Sequence, residues 1–285
     1  MITPFDENYE LDEEGLRENI RSQIEGGIDR IVPVGTTGEC ATLSHEEHKR
    51  VVEIAIDTAG GEVPVIAGTG SNSTREALRL TRHAAEAGAD AAMLVTPYYN
   101  KPTQRGLYEH YKKIAQEVDI PQIIYNVPSR TGRNIDPETL VSLSEFENIV
   151  GVKEAIGDLQ QIMYLVENTG EDFNVLSGDD HLTLPMLSLG AVGVISVASN
   201  IVPGEISKLV HSYLEGDTKT AMEQHYEFLP LFRSLFLETN PGPVKAAMGI
   251  LDRPAGKPRL PLVEVTEETK NQLREVLSNL AITPE

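Results

Sequence analysis

Short apolar runs rich in β-branched residues recur along the chain, and a stretch with helical periodicity separates each run from the next. Seven runs are clear: Ile31–Val34, Val63–Ala67, Ala92–Val95, Gln122–Tyr125, Ile149–Val152, Asn174–Leu176 and Gly193–Val197. Successive runs begin roughly 20 to 33 residues apart, the length of one strand–helix unit. The runs are apolar on both faces, as in parallel strands covered by helices on each side. The alternation therefore predicts an α/β fold.

The number of units favours a closed barrel. Ile2–Pro4, followed by a helix through Leu16 and Ile20, provides an eighth unit. Eight units in about 215 residues fit a (β/α)8 TIM barrel, and a doubly wound sheet is the alternative. We predict a catalytic barrel over residues 1–215 and a C-terminal helical extension over residues 216–285, where the strand pattern stops.

Several helices have recognisable start and stop signals. Ser44-His45-Glu46-Glu47 is a capping box that opens a helix to about Ala59. Ser73 or Thr74 opens the next helix, which ends near Gly88, and Asp136-Pro137 opens another. After the last run, helical periodicity continues over four segments: Glu205–Leu214, Thr218–Leu237, Pro243–Leu251 and Glu267–Leu280.

The charge balance excludes some partners. Lys and Arg number 24 and Asp and Glu number 44, so the net charge is -20. Such a surface repels phosphate backbones and anionic lipids, which argues against nucleic acid and membrane as partners. The acidity suits either a salty cytoplasm or an ordinary acidic cytosolic protein. With Cys40 as the single cysteine and no signal peptide at the N-terminus, a cytoplasmic location is expected.

Polar side chains collect where the predicted strands end. The segments that follow the runs are Gly35–Glu39, Gly68–Gly70, Pro97–Asn100, Tyr125–Arg130, Lys153–Glu154, Ser177–Asp180 and Ser196–Asn200. In TIM barrels the active site lies at the carboxyl ends of the strands. Hydroxyls, phenols, one lysine and one arginine are therefore expected to meet at one rim.

Lys153 is the most informative of these residues. It is the first charge in the run Ile149–Lys153, and strand alternation places it on the same face as Gly151. An amine that loses hydration in a barrel interior is more readily deprotonated and can attack a carbonyl carbon. The alternative is a strand-end lysine in solvent, paired with Glu154 or Asp179.

Other residues in these segments suit the partners of such an amine. Tyr125 and Tyr99 can relay protons with Thr36 between them, or their rings can simply pack with solvated hydroxyls. The backbone amides of Thr36 and Thr37 resemble an anion-binding nest, although a tight turn explains the same residues. Arg130 either clamps a carboxylate or is one more surface arginine.

Cofactor signals are weak. Gly68-Thr69-Gly70 half-matches a dinucleotide-binding fingerprint but lacks the third glycine. No cluster of His, Cys and Asp has metal-ligand spacing, so neither a metal nor a cofactor is expected. Asp179 and Asp180 follow the seventh strand, where phosphate-binding barrels have backbone amides, so an unphosphorylated substrate is expected.

Four motifs, taken together and in order, resemble those of the dihydrodipicolinate synthases. They are Gly35-Thr36-Thr37-Gly38-Glu39, Tyr98-Tyr99-Asn100-Lys101-Pro102, Tyr125-Asn126-Val127-Pro128-Ser129-Arg130-Thr131-Gly132 and Val152-Lys153-Glu154. These enzymes belong to the superfamily of Schiff-base-forming pyruvate lyases that includes N-acetylneuraminate lyase. The resemblance runs essentially the whole length of the chain, and Ser129-Arg130-Thr131 points to the synthases within the superfamily.

The resemblance implies a mechanism without a cofactor. Lys153 would condense with pyruvate to a covalent Schiff base. Tyr125 would assist within a relay of Thr36 and Tyr99, the latter donated across a dimer interface. Thr36 and Thr37 would hold the pyruvate carboxylate. The family pattern assigns the remaining substrate contacts to the backbones of Gly178 and Ile195 and to Arg130, which would bind the carboxylate of L-aspartate 4-semialdehyde.

The resemblance also implies a product, an assembly and an inhibitor. The product would be 4-hydroxy-tetrahydrodipicolinate, in the first committed step of lysine and diaminopimelate synthesis, made by a homotetrameric dimer of dimers. Inhibited members bind L-lysine at the dimer interface, and the matching positions are Cys40, Ala41, His45, His48, Gly70, Asn72, Glu76 and Tyr98. Position 40 is commonly serine in the family, which makes Cys40 a departure.

Two other functions and one irregularity remain open. A related aldolase would cleave N-acetylneuraminate or a 2-keto-3-deoxy sugar acid, and a non-catalytic barrel would only sense lysine. Family members usually carry several apolar residues before Thr3-Pro4-Phe5, whereas this sequence begins at Met1. Either the start is misassigned or the first strand is a stub that pairs imperfectly.

Overall fold

The computed structural model describes residues 1–284 and contains a parallel six-stranded sheet with helices between its strands. The strands are β1 Ile66–Gly68, β2 Ala91–Val95, β3 Gln122–Asn126, β4 Ile149–Glu154, β5 Asn174–Ser177 and β6 Gly193–Val194. The helices are α1 Glu13–Glu25, α2 His45–Ala59, α3 Thr74–Ala87, α4 Gln104–Glu117, α5 Pro128–Thr131, α6 Pro137–Leu143, α7 Leu159–Asn168, α8 Thr183–Ser188, α9 Pro203–Leu214, α10 Thr218–Ser234, α11 Gly242–Ile250 and α12 Glu267–Asn279.

The strand order distinguishes between the two predicted architectures. The strands pair in the order β1-β2-β3-β4-β5-β6, and every pairing is parallel. A doubly wound sheet reverses its order at a switch point, and these six strands contain no such reversal. The predicted α/β class with a parallel sheet is therefore confirmed.

The register divides the side chains of the sheet between two faces. Leu94, Ile124, Val152 and Val175 are cross-strand neighbours and belong to one buried apolar cluster with residues of α4. Successive side chains on a strand point to opposite faces. The next row, which contains Tyr125 and Lys153, therefore faces away from that helix-covered cluster.

The predicted helix signals are confirmed where they are strongest. Ser44 accepts a hydrogen bond from the N–H of Glu47, whose carboxylate accepts one from the N–H of Ser44, so the capping box is complete. Helix α2 ends at Ala59 as predicted. Helix α3 ends before Gly88, which takes a φ of 96° that favours glycine.

The first predicted strand does not form, and the last predicted strand is shorter than expected. No strand forms at Ile2–Pro4. The Ile2 N–H donates to the side-chain oxygen of Asn200 (2.9 Å), while the Met1 amino group donates to the Val32 carbonyl (3.0 Å), so the segment contacts the next predicted run without forming a ladder. The run Gly193–Val197 keeps its sheet pairing only over β6, although the Ile195 N–H still reaches the Ser177 carbonyl (2.9 Å). After β6 the chain forms a short 3₁₀ helix at Ala198–Asn200.

The run predicted as a strand at Ile31–Val34 is reduced to a single bridge. Ile31 pairs with Val65 in a parallel bridge, and the ladder goes no further. Pro33 has no N–H to donate, and Val34 takes a φ of 49°, which is incompatible with a strand.

Backbone contacts group the chain into two compact units. The strand unit comprises Ile66–Ile195 and therefore includes all six strands. The helical unit comprises Met1–Val65 together with the chain from Ser196 onward. The division into a barrel over 1–215 and an extension over 216–285 stays a prediction, and its last residue, Glu285, lies outside the described residues. Across residues 1–284, helices long and apolar enough to cross a bilayer are absent.

Candidate active site

Lys153 and Tyr125 lie side by side at the ends of β4 and β3. They are cross-strand partners in the register, and the Lys153 Nζ lies 4.3 Å from the centre of the Tyr125 ring. Both side chains are buried, and Lys153 is 8% exposed. The alternative of a lysine in solvent is therefore wrong. Of its two suggested partners, Glu154 points to the other face of the sheet and bonds to Asn126 and Gln161, whereas Asp179 interacts electrostatically with Lys153. A buried amine in contact with a phenol can form a Schiff base with nearby proton transfer.

Asp179 interacts electrostatically with both Lys153 and Arg130. Burial raises the pKa of Asp179, and electrostatic interactions with His181, Lys153 and Arg130 act against that rise. All three side chains therefore lie within electrostatic reach of this carboxyl group. Arg130 lies on the short helix α5 directly after β3, and its side chain is exposed and can bind an incoming anion.

Gly178 and Ile195 follow β5 and β6 at the same edge of the sheet. The Gly178 N–H donates to the Glu154 carbonyl (2.6 Å), which fixes the backbone beside β4. A Cβ at position 178 would lie 2.7 Å from the Cβ of Ala155, so any side chain larger than that of glycine would displace the strand ends. The predicted contacts of these two backbones with pyruvate stay a prediction.

In the helical unit, Thr36 and Thr37 occupy a tight turn. The Gly38 N–H donates to the Gly35 carbonyl (3.0 Å), and the Glu39 N–H donates to the Thr36 carbonyl (3.1 Å). Within residues 1–284, the N–H groups of Thr36 and Thr37 donate to no backbone carbonyl. Adjacent N–H groups of this kind are what an anion-binding nest requires.

Sequence reasoning missed the groups that hold this turn. Asn240 donates from Nδ2 to the Thr37 Oγ1 (2.9 Å). Lys245 forms a buried ion pair with Glu39, whose second oxygen accepts from the Arg259 N–H (2.9 Å). Burial lowers the pKa of Lys245, and the Glu39 carboxylate acts against that fall. The available signal was a single charge inside the otherwise uncharged helix α11.

Tyr99 takes no part in a buried relay within its own chain. Its side chain is 89% exposed, and its φ of 71° is unusual for an aromatic residue. Backbone strain at an exposed side chain is often associated with function. The prediction that Tyr99 serves a second copy of the chain stays a prediction.

Four of the predicted lysine-binding residues lie in the strand unit. Asn72 donates to the Tyr98 carbonyl (3.1 Å), and the carboxylate of Glu76 accepts a hydrogen bond from Ser71. Gly70 lies so close to Val95 that a Cβ would collide with its backbone nitrogen. An amide, a carboxylate and a tyrosine are therefore grouped around the N-terminus of α3.

The other four residues lie in the helical unit. Ala41 and His45 are exposed, whereas His48 is buried. Burial raises the pKa of Cys40 to about 11, so the thiol stays protonated and unreactive at neutral pH. The lysine site stays a prediction. Within residues 1–284, no three or more His, Cys, Asp or Glu side chains are grouped so that they could hold a metal ion.

The family model described as the dihydrodipicolinate synthetase family matches residues 1–280, so the chain belongs to that family. A curated 4-hydroxy-tetrahydrodipicolinate synthase from Methanothrix thermoacetophila is 54% identical over 99% of this chain and 95% of its own length. A solved dihydrodipicolinate synthase from Aquifex aeolicus has a TM-score of 0.98 and 53% identity, covering 100% of this chain and 97% of that one. The resemblance predicted from the four motifs is confirmed.

Two further solved relatives carry ligands. A synthase from Acinetobacter baumannii, described as chloride-inhibited and complexed with pyruvate, is 44% identical with a TM-score of 0.97, covering 99% of this chain and 97% of that one. A synthase from Cyanidioschyzon merolae with lysine bound is 40% identical with a TM-score of 0.97, covering 99% of this chain and 96% of that one.

Proposed function

We infer that this chain is a lyase that condenses pyruvate with L-aspartate 4-semialdehyde to 4-hydroxy-tetrahydrodipicolinate, in lysine and diaminopimelate synthesis. Family membership over nearly the whole chain supports this function. The structural observation that carries it is the buried amine of Lys153 in contact with Tyr125, at the carboxyl end of a parallel strand.

We propose that the complete fold is a (β/α)8 barrel followed by a helical extension. The sequential order of six parallel strands supports this architecture, as does the likeness of the whole chain to solved synthases. In such a barrel the chemistry occurs at the rim formed by the carboxyl ends of the strands.

The proposed reaction needs no cofactor, because Lys153 supplies the electron sink. Its amine attacks the ketone carbon of pyruvate, water leaves, and loss of a methyl proton gives a nucleophilic enamine. The enamine carbon attacks the aldehyde, and the amine of the semialdehyde then attacks the former ketone carbon and releases Lys153. The Tyr125 phenol and the Thr36 hydroxyl move the protons that these steps require.

The substrate carboxylates need separate contacts in this proposal. The N–H groups of Thr36 and Thr37 bind the pyruvate carboxylate, with the backbones of Gly178 and Ile195 beside it. Arg130 binds the carboxylate of the aldehyde through charge-assisted hydrogen bonds.

We further propose that the enzyme acts as a homo-oligomer, a dimer of dimers, in which Tyr99 completes the relay of a second copy. The nearly full exposure of Tyr99 supports a role outside its own chain. Helix α7 and the residue before β6 also leave apolar side chains in solvent: Leu159, Met163, Tyr164, Val166 and Val192. The cytoplasmic location stays a prediction.

The choice of aldehyde tests the proposed function. Pyruvate with L-aspartate 4-semialdehyde should give steady turnover, while pyruvate with N-acetylmannosamine or a sugar aldehyde should give none. Turnover with a polyol aldehyde alone would identify the related aldolase. No turnover with any aldehyde, together with lysine binding, would identify a lysine sensor.

In the same assay, Arg130→Ala should raise the KM for the semialdehyde and lower kcat/KM about 10- to 100-fold, because a charge-assisted clamp is lost. The KM for pyruvate should change little. The exposed Arg105, at the start of α4, provides the matched arginine control as Arg105→Ala. Unchanged semialdehyde kinetics in Arg130→Ala would contradict the assignment.

L-Lysine should inhibit turnover, because Glu76 offers a carboxylate to an ammonium group beside Asn72 and Tyr98. Glu76→Ala should raise the half-inhibitory concentration at least about 10-fold through loss of this ionic contact. D-Lysine provides the control for stereospecific binding. Full activity at saturating L-lysine would contradict the prediction.

A further inference from the structure

Asn126 and Glu154 lie one residue after Tyr125 and Lys153 and are paired in the same register. Alternation directs their side chains to the helix-covered face of the sheet, behind the proposed site. Asn126 Nδ2 donates to both carboxylate oxygens of Glu154, at 3.1 Å each. Adjacent ends of β3 and β4 are therefore tied by side chains as well as by the ladder.

Two further amides close this contact into a network. Asn126 Nδ2 also donates to Asn134 Oδ1 (2.7 Å), and Asn134 Nδ2 donates to Gln161 Oε1 (3.0 Å). Gln161 Nε2 then donates to Glu154 Oε1 (3.0 Å). Asn126, Glu154 and Gln161 are buried and Asn134 is half-buried. We call these four side chains the amide network.

Backbone contacts fix the orientation of the amides and attach the network to one loop. The Ile135 N–H donates to Asn126 Oδ1 (3.1 Å), and Gln161 Nε2 donates to the Ile135 carbonyl (3.3 Å). Gln104 holds the same segment from α4, since its Nε2 donates to the Asn134 carbonyl (2.9 Å). Residues 134–135 are therefore held from β3, α4 and α7.

The loop held in this way carries Arg130. It leaves β3 at Asn126, forms α5 and returns to the network at Asn134, so Arg130 lies between two fixed points. The network is costly, because burial of a carboxyl group opposes its ionisation. Burial raises the pKa of Glu154 to about 8, although hydrogen bonds from Asn126 and Gln161 act against the rise. Apolar side chains could fill such a space without that cost.

We propose that Asn126, Asn134, Glu154 and Gln161 are positioning residues that hold the Arg130 loop at a fixed place relative to Lys153, and that they thereby set selectivity for an aldehyde bearing a carboxylate. The proposal rests on the proposed function, since it concerns the second substrate of that reaction. It assigns the network no contact with substrate.

The test uses Asn134→Ala in the full-length enzyme. The KM for L-aspartate 4-semialdehyde should rise about 10-fold, while the KM for pyruvate and the rate of borohydride trapping of pyruvate should stay within about 2-fold. Asn134→Asp keeps the oxygen that accepts from Asn126 and loses the N–H that donates to Gln161, so its effect should be intermediate. This second variant carries the test if Asn134→Ala does not fold.

Asn148→Ala is the matched control. Asn148 is also half-buried, and its Nδ2 donates to the carbonyls of Ala115 (2.8 Å) and Val118 (3.2 Å), just before the start of β4. Its loss should lower stability as Asn134→Ala does and leave both KM values unchanged. If Asn134→Ala acted only through a general loss of packing, Asn148→Ala would change the KM values in the same way. That result would overturn the proposal.

A double-mutant cycle shows whether Asn134 acts through Arg130. In an Arg130→Ala background, Asn134→Ala should produce no further rise in the KM for the semialdehyde. Additive effects, or equal changes in the KM values for both substrates, would overturn the positioning role. The proposed function fails separately, if the unmodified enzyme shows no turnover of pyruvate with the semialdehyde.

Discussion

Lys153→Met should abolish trapping of pyruvate by borohydride and reduce turnover by at least about 10³-fold, because it removes the proposed Schiff-base nucleophile. Methionine is close to lysine in length and can keep the packing on the Tyr125 ring. The fold should therefore survive, and the loss should appear in kcat and in the absence of a reduced pyruvate adduct in the mass spectrum.

A second buried lysine in the described chain provides an internal control for the same experiment. Lys245 is 2% exposed, but its ammonium group is paired with Glu39 and lies 4.1 Å from the centre of the Phe5 ring. An amine held by a carboxylate in a buried ion pair is a poor nucleophile, so peptide mapping of the unmodified enzyme should place the adduct on Lys153 alone. An adduct on Lys245, or persistent trapping in Lys153→Met, would contradict the assignment of the nucleophile.

Lys245→Met should lower the free energy of unfolding by about 3–5 kcal/mol, because it leaves the Glu39 carboxylate buried without its counter-ion. The variant should also raise the KM for pyruvate, since Glu39 ends the turn that carries Thr36 and Thr37. Combining Lys245→Met with Glu39→Gln should recover most of the stability. The amide oxygen can still accept from the Arg259 N–H, and no charge remains buried. The free energies of unfolding of the unmodified protein, Lys245→Met and the double variant are measured by denaturant titration.

An exposed ion pair provides the matched control for this prediction. Lys113 pairs with Glu117 on the surface of α4, where solvent screens the interaction. Lys113→Met should change the free energy of unfolding by less than about 0.5 kcal/mol. If Lys245→Met were equally mild, or if the double variant were no more stable than Lys245→Met, the Glu39–Lys245 pair would not be what holds the turn of Thr36 and Thr37.

The strands that could be predicted from the sequence are those whose residues are apolar on both faces. Ala91–Val95 and Gln122–Asn126 match their predicted runs to within one residue, because consecutive β-branched and aliphatic residues favour a buried parallel strand. The run at Ile31–Val34 has the same composition and forms only one bridge. There a proline and a left-handed valine, set by the turn that follows, override the local preference.

The sequence likewise predicts some residues of the proposed site and misses others. Lys153 and Tyr125 could be predicted because each ends an apolar run, and a polar residue at that position has few structural explanations. Asn240, Lys245 and the amide network could not, because their roles depend on partners between 7 and 206 residues away. A charge in an apolar helix indicates only that some partner exists.

The sequence by itself determined the family, the α/β class and the strand–helix alternation, and it indicated Lys153 as the candidate nucleophile, because these follow from local periodicity and from motifs a few residues long. Only the tertiary structure decided that Glu154 lies behind the sheet and not beside Lys153. It also decided that Tyr99 is exposed and that the loop of Arg130 is held by buried amides. Hydrogen bonds and burial depend on which distant residues meet, and that is a property of the folded chain rather than of any segment.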